Sequence, residues 1–297
     1  MLYYGAANSA LRGMVARKRK ITEKRNHRMK YMKRAACLAL SAALVASAGI
    51  VPLAQAAVPV SASVLEECNS VETPTVESVT ALITQIGDVT LKSGEKINAA
   101  ATAYAQLDEE SRALVPNVAV LIEAQQVFEL EQALDQLYIK RDDVEGKTVI
   151  APNKDLVNIR SATVLPCFIY SDNVGLSPLH IVAEYWGKRW VFFKQVIISM
   201  DGESYTKSFG NNEVLRDNAD GYVWEWAEFN ASAEEIEVLR KMAASEKITI
   251  RFKGKERAYD IQMFKKGKQS ILDTLHAYEL MQNASDTVRA KALAGIR

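Results

Sequence analysis

Tyr222–Phe229, YVWEWAEF, decides the architecture of the second half of the chain, because it alternates. A strand sends successive side chains to opposite faces, so Tyr222, Trp224 and Trp226 share one face and Val223 and Glu225 the other. Working outward, the same period of two predicts strands at Ser161–Tyr170, Leu179–Trp186, Arg189–Met200, Ser204–Phe209, Ile248–Lys253 and Ala258–Phe264. Turn residues punctuate them at Gly187-Lys188, Asp201-Gly202, Ala219-Asp220-Gly221 and Gly254-Lys255. Pro166 lacks an amide hydrogen and puts the first strand at an edge or a bulge. Two helices interrupt the pattern. Ser232 and Glu235 form a capping box ahead of Ile236, Leu239, Met242 and Ala243, and Ile271, Leu275 and Tyr278, flanked by Leu272, make a second stripe. The tail from Asp286 reads as frayed.

Upstream the period lengthens to about 3.6. Val76, Val79, Leu82, Ile83 and Ile86 line one face of a helix that Gly87 ends, and Ser93 reads as the N-cap of a second carrying Ile97, Ala100, Ala101, Tyr104 and Leu107. Asp108 caps a short turn stopped by Pro116, and a long helix runs from Asn117 toward Tyr138 with Leu121, Ala124, Phe128, Leu134 and Leu137 inward. Ile139–Lys154 is charged and turn-forming, which puts a boundary near Arg141. The expected class is therefore α+β: a small N-terminal helical bundle, residues 76–140, followed by a mainly antiparallel β domain with two helices, residues 141–297.

Val79–Gln132 resembles the small helical modules common in secreted and surface proteins of Gram-positive bacteria. The matching features are the Ile86-Gly87-x-Val89-Thr90 turn, the Ala100–Tyr104 helix, the Leu114-Val115-x-Asn117 break and Leu121-x-x-Ala124 opening the last helix; Gln125 departs from the acidic residue more usual there. The resemblance implies export, a surface setting and a spacer or stalk role, with no chemistry of its own.

Met29–Ala56 reads as a secretory leader, with Lys30, Lys33 and Arg34 before an apolar run, Ala35–Val51, and a small-x-small site at Ala54–Ala56. The competing reading is a retained anchor, since Ala35–Ala54 nearly reaches spanning length. Residues 1–28 read as an extension without apolar period, and 57–75 as a linker. Eleven of the 37 Lys and Arg and one of the 36 acids lie in residues 1–56, leaving 26 basic and 35 acidic residues, net −9. So acidic a remainder argues against nucleic acid and anionic membrane surfaces as partners, and no membrane span is expected after cleavage. Cys68 and Cys167 either pair or stay free thiols, since their spacing carries no signature.

Four tryptophans cluster between Phe168 and Phe229. The row Tyr222, Trp224 and Trp226 is the candidate ligand-binding site; the competing reading packs it under a helix, leaving Glu225 as a solvated residue. Catalytic, cofactor and metal residues are not expected. Glu225 and Glu228 sit on opposite strand faces, which leaves Glu184 with Glu225 as an unsupported carboxylate pair. Asp217–Gly221 lacks the first and twelfth acids of an EF-hand loop, and His180 and His276 have no partner at zinc-ligand spacing. Cys167 with His180 has the composition of a nucleophile and base, but Cys167 falls in step with Leu165 and Ile169 as a small hydrophobe. Lys265, Lys266 and Lys268 read as a solvated helix start. The expectation is a secreted or surface-associated, non-enzymatic protein whose β domain binds an extracellular glycan or protein. The alternatives are a hydrolase of cell-wall polymer and an inhibitor or assembly subunit.

Overall fold

A computed structural model describes residues 73–152 and 162–296. The leader, the residues before it, most of the linker and Cys68 lie outside the described residues. Thr73–Arg297 forms one compact unit of mixed α+β architecture.

Four helices come first: α1 (Val76–Thr84), α2 (Gly94–Gln106), α3 (Glu109–Ala113) and α4 (Val118–Asp135). Thr75 starts α1 with a reciprocal box, its hydroxyl accepting Ser78 N at 3.2 Å while Ser78 Oγ accepts Thr75 N at 2.9 Å. Gly87 ends the segment at φ +63°, a conformation costly for other residues. Asp108 caps α3 by accepting Ser111 N at 2.7 Å. Ser93 occupies the N-cap position of α2, but its side chain turns backward and accepts Thr90 N at 3.0 Å, fixing the preceding turn instead. Val79, Ile83, Ile97, Ala100 and Leu121 meet in a small apolar cluster. Helix α4 leaves that cluster halfway along: Val127, Leu130 and Leu134 belong to the main core.

The main core lies between two antiparallel sheets and the remaining helices. One sheet runs β1 (Tyr138–Asp142), β2 (Lys147–Ala151), β3 (Thr163–Ser171), β5 (His180–Gly187), β9 (Tyr222–Asn230) and β8 (Leu215–Ala219), with the short β4 (Gly175–Leu176) on β3. The other runs β11 (Ala258–Gln262), β10 (Ile248–Lys253), β6 (Gln195–Met200) and β7 (Glu203–Ser208). Their inner faces meet through Ile181, Ala183 and Tyr185 on one side and Ile198, Ile250 and Phe252 on the other, with the Tyr185 and Phe252 rings 6.1 Å apart. Both predicted Asp-Gly turns are two-residue hairpins with positive φ at each residue, +47° and +100° at Asp201-Gly202 and +54° and +75° at Asp220-Gly221.

Helix α5 (Ala233–Ala244) begins at the predicted capping box, Ser232 Oγ accepting Glu235 N while Glu235 accepts Ser232 N at 2.7 Å. Glu235 also accepts from Tyr205 at 2.9 Å and Lys207 at 2.6 Å, which ties α5 to β7. Lys207 and the Ser232 bonds hold the Glu235 carboxyl down to about 2 against the opposing effect of burial. Ser232→Ala should cost about 1 kcal/mol of unfolding free energy in a urea titration. A change smaller than the error of the titration would mean that Lys207 and Tyr205 fix this helix end without the cap.

Three expectations need correction. Ile139–Ala151 is a hairpin rather than a charged connection, and Arg141 lies inside β1, where it pairs with Asp172. Arg189–Lys194 is not strand, so β6 starts only at Gln195. The tail is not frayed: Ser285 caps α7 (Asp286–Gly295) by accepting Val288 N at 3.2 Å, and Val288 and Ala292 are buried in the main core. It packs on α4, and the helix before it, α6 (Lys265–Asn283), brings Tyr278 to 5.2 Å from Phe168 of β3. Pro166 sits where β3 pairs with β5 alone, since the β2 ladder spans only Phe168–Ser171, so the strand has a local edge as Pro requires.

Candidate functional site: an aromatic sheet face

Strand register places the aromatic row. In β9 the residues alternate as expected, Val223 and Ala227 entering the core and Tyr222, Trp224 and Trp226 facing the opposite way. Trp224 stands directly across from Trp186 of β5 and Asp217 of β8, and Trp226 from Glu184 and Leu215. The indoles of Trp186 and Trp224 stack at 4.7 Å with 18° between planes. Trp186 donates through Nε1 to Glu184, and Tyr222 lies 6.3 Å from Trp186 with Lys188 Nζ 5.9 Å over its ring.

Trp224 is only 5% exposed, covered on one face by Trp186, whereas Tyr222, Trp226 and Trp186 are half-buried. None of the three indoles belongs to either apolar cluster. The sequence row is therefore incomplete: Trp186 extends it from a second strand, and Trp224 lies beneath it. The missed signal was Trp186 itself, in step with Glu184 and Val182, but only the register of β5 against β9 brings it to Trp224.

The far end of the same face is closed. Cys167 is directly across from His180, and His180 Nδ1 lies 3.5 Å from Glu228 Oε1. Burial pushes the Cys167 thiol up, with the Glu228 charge adding to it, and burial pulls His180 down and Glu228 up. The thiol is thus held protonated and the imidazole neutral, the reverse of an activated nucleophile. Cys167 carries a free thiol.

Glu225 is not solvated. It is 0% exposed and accepts Val191 N at 2.6 Å, Phe192 N at 2.8 Å and Phe193 N at 2.9 Å, with Arg216 Nε at 3.3 Å. It points the same way as Tyr185, its cross-strand partner, and away from Glu184, so the carboxylate pair Glu184 with Glu225 does not converge. Among the described residues no group of three His, Cys, Asp or Glu side chains is placed to hold a metal ion, and no helix is long and apolar enough to cross a membrane. The gap between the sheets beneath α5, lined by Val164, Ile198, Val238 and Met242, has about the volume one water molecule needs.

No protein-family model, curated protein or solved structure matches the chain.

Proposed function

We propose that this is a secreted or cell-surface, non-enzymatic binding protein, in which the small bundle of α1–α4 spaces or docks the β domain and the aromatic face takes an extracellular glycan. One observation carries the reading: Trp186, Trp224 and Trp226 gather on the sheet face opposite the inner core, outside both apolar clusters. The half-buried Trp186 and Trp226 indoles and the Tyr222 phenol offer flat apolar surface to the C–H face of a sugar ring, with Trp224 supporting Trp186 from beneath, and Glu184 and Asp217 supply hydrogen-bond acceptors for hydroxyls. The leader-like segment Met29–Ala56 and the resemblance of Val79–Gln132 to Gram-positive surface modules support the extracytoplasmic setting. Glu184 and Glu225 point to opposite faces of the sheet, so that carboxylate pair does not converge for hydrolysis.

Retention on immobilised peptidoglycan and on a glycan array tests the reading. Tyr222→Ala and Trp226→Ala should each weaken retention by about three- to tenfold, since stacking contributes roughly 0.5–1.5 kcal/mol. Both variants are expected to melt within a few degrees of the parent, because neither residue joins the core clusters. Retention equal to the parent in both variants, or none by the parent, would remove the glycan face.

A further inference from the structure

A second surface carries a bulky residue in a left-handed backbone conformation. Arg189–Lys194 joins β5 to β6, and within it Phe192 has φ +53°, a left-handed conformation unfavourable for a bulky side chain. The surrounding structure over-determines that conformation. Three successive amides, of Val191, Phe192 and Phe193, converge on the buried Glu225 carboxylate. Gly254 presses against the same loop so closely that a Cβ there would lie 2.0 Å from Val191 O. Lys194 N also bonds Lys253 O at 2.9 Å. What this holds outward is Phe192, 55% exposed, with Trp190 stacked on it at 5.6 Å.

Cations surround this aromatic knuckle. Lys188, Arg189 and Lys194 lie on the loop or at its root, and Lys253, Lys255 and Arg257 on the turn that Gly254 packs against it. Arg189 and Arg257 are both close enough to act on the Tyr185 hydroxyl, which donates to Arg189 O at 2.8 Å. All six are exposed, and none forms an ion pair among the described residues, whereas Arg141, Arg240, Arg251 and Lys291 elsewhere each meet an acid. Residues 188–194 and 253–257 contain one acid, Glu256. The acidic net charge predicts repulsion from anionic surfaces, but charges beyond about 8 Å are screened at physiological ionic strength, so the local patch governs contact.

We propose that the Trp190–Phe192 knuckle and its six cations form a docking site for an anionic phospholipid surface. Phe192 and Trp190 enter the headgroup region, where aromatic rings are favoured, while the cations meet lipid phosphates around them. A lipid surface fits better than a free anionic polymer. Trp190 and the Arg216 guanidinium, 5.5 Å away, both lie over the Phe192 ring, which limits the room for a base or sugar to stack flat on it but not its insertion tip-first. Lys188 also lies over the Tyr222 ring of the glycan face, but the knuckle and the other five cations stand if that face binds nothing.

Sedimentation with vesicles of phosphatidylcholine, with or without one part in three of phosphatidylglycerol, tests this. Residues 73–297 are used because they form one compact unit and omit the apolar run Ala35–Val51, which would itself partition into lipid. The full chain is run alongside, where the difference between parent and variant must persist. The parent should bind phosphatidylglycerol vesicles and not pure phosphatidylcholine, and salt should weaken binding. Phe192→Asn keeps a residue tolerant of positive φ and should lower binding on the order of tenfold. Lys253→Ser with Lys255→Ser, both exposed positions, should lower it about twenty-five-fold. Equal binding to both vesicles, binding by Phe192→Asn equal to the parent, or retention on heparin or single-stranded DNA without vesicle binding would each overturn the proposal.

Discussion

Glu225→Ala should remove about 3–5 kcal/mol from the stability of the compact unit Thr73–Arg297, measured by urea titration. The magnitude follows from what the carboxylate satisfies. Val191, Phe192 and Phe193 sit with their amides turned to the carboxylate, two of them buried, and a charged acceptor is worth more to each than a neutral one. Truncation leaves three donors without an acceptor and strands Arg216, whose Nε lies 3.3 Å from the same carboxylate. Glu225→Gln should fall between, about 2–3 kcal/mol, because the carboxamide keeps one acceptor oxygen and turns an NH2 toward amide donors. Arg216→Ala should cost about 1 kcal/mol or less, since that side chain is partly solvated. Hydrogen exchange at Val191 and Phe193 gives the local readout. Fast exchange at these amides in Glu225→Gln, with the rest of the sheet still protected, identifies the carboxylate as the anchor of the loop. Unchanged protection there, or a loss for Glu225→Ala below 1 kcal/mol, would mean that Gly254 and the Lys194–Lys253 bond hold the loop without it.

The same residue marks how far the sequence could be read. Period, capping and turn chemistry are local, and where they act alone the expectation matches the fold: the Ser232-Glu235 box starts α5, the Asp-Gly pairs close their hairpins, and Ile248–Lys253 is a strand with the expected bounds. Of the edge strands, β7 and β11 were expected, whereas β1 and β8 escaped. Neither face of β1 is fully buried, and β8 exposes Arg216, Asp217 and Asn218, so neither shows an alternation of polarity to read. Trp190, Val191, Phe192 and Phe193 look like a continuation of β6, and the reason they are not lies 33 residues away in a carboxylate. Alternation did put Glu225 opposite Trp224 and Trp226, but a lone acid on a strand reads as solvated until the loop that fills its acceptors is in view. The aromatic site was legible in part for a related reason: Tyr222, Trp224 and Trp226 follow from one strand, whereas Trp186 and the burial of Trp224 beneath it require pairing. The tail was misread because Asp286–Gly295 has a weak stripe, and its order comes from Val288 and Ala292 docking into the main core.

Glu131→Gln should raise stability at pH 7 by about 1–3 kcal/mol, and Glu131→Met by at least as much. Glu131 lies on α4 where that helix enters the main core, is 1% exposed, and neither carboxylate oxygen has a hydrogen-bond partner among the described residues. Gly295, the last residue of α7, packs directly on it: a Cβ there would lie 2.0 Å from Oε1. The C-terminal end of a helix carries partial negative charge, which adds to the cost of an anion at that spot. Burial raises the carboxyl above its usual value. The sign of the pH effect follows. A carboxyl higher in the folded chain than in the unfolded one binds more protons when folded, so its penalty is small near pH 4.5, grows as pH rises from the unfolded toward the folded value and levels off above it. The advantage of Glu131→Gln should therefore be largest at pH 7 to 8 and shrink toward pH 4.5. Comparing the variant with the parent at each pH isolates this residue, because Glu228, shifted the same way, and His180, shifted so that acid destabilises, contribute equally to both chains. Denaturant titrations at pH 4.5, 6 and 8 decide it. A variant that is less stable than the parent at pH 8, or an advantage independent of pH, would mean that the carboxylate is compensated in solution and that Glu131 holds α7 in place rather than straining it.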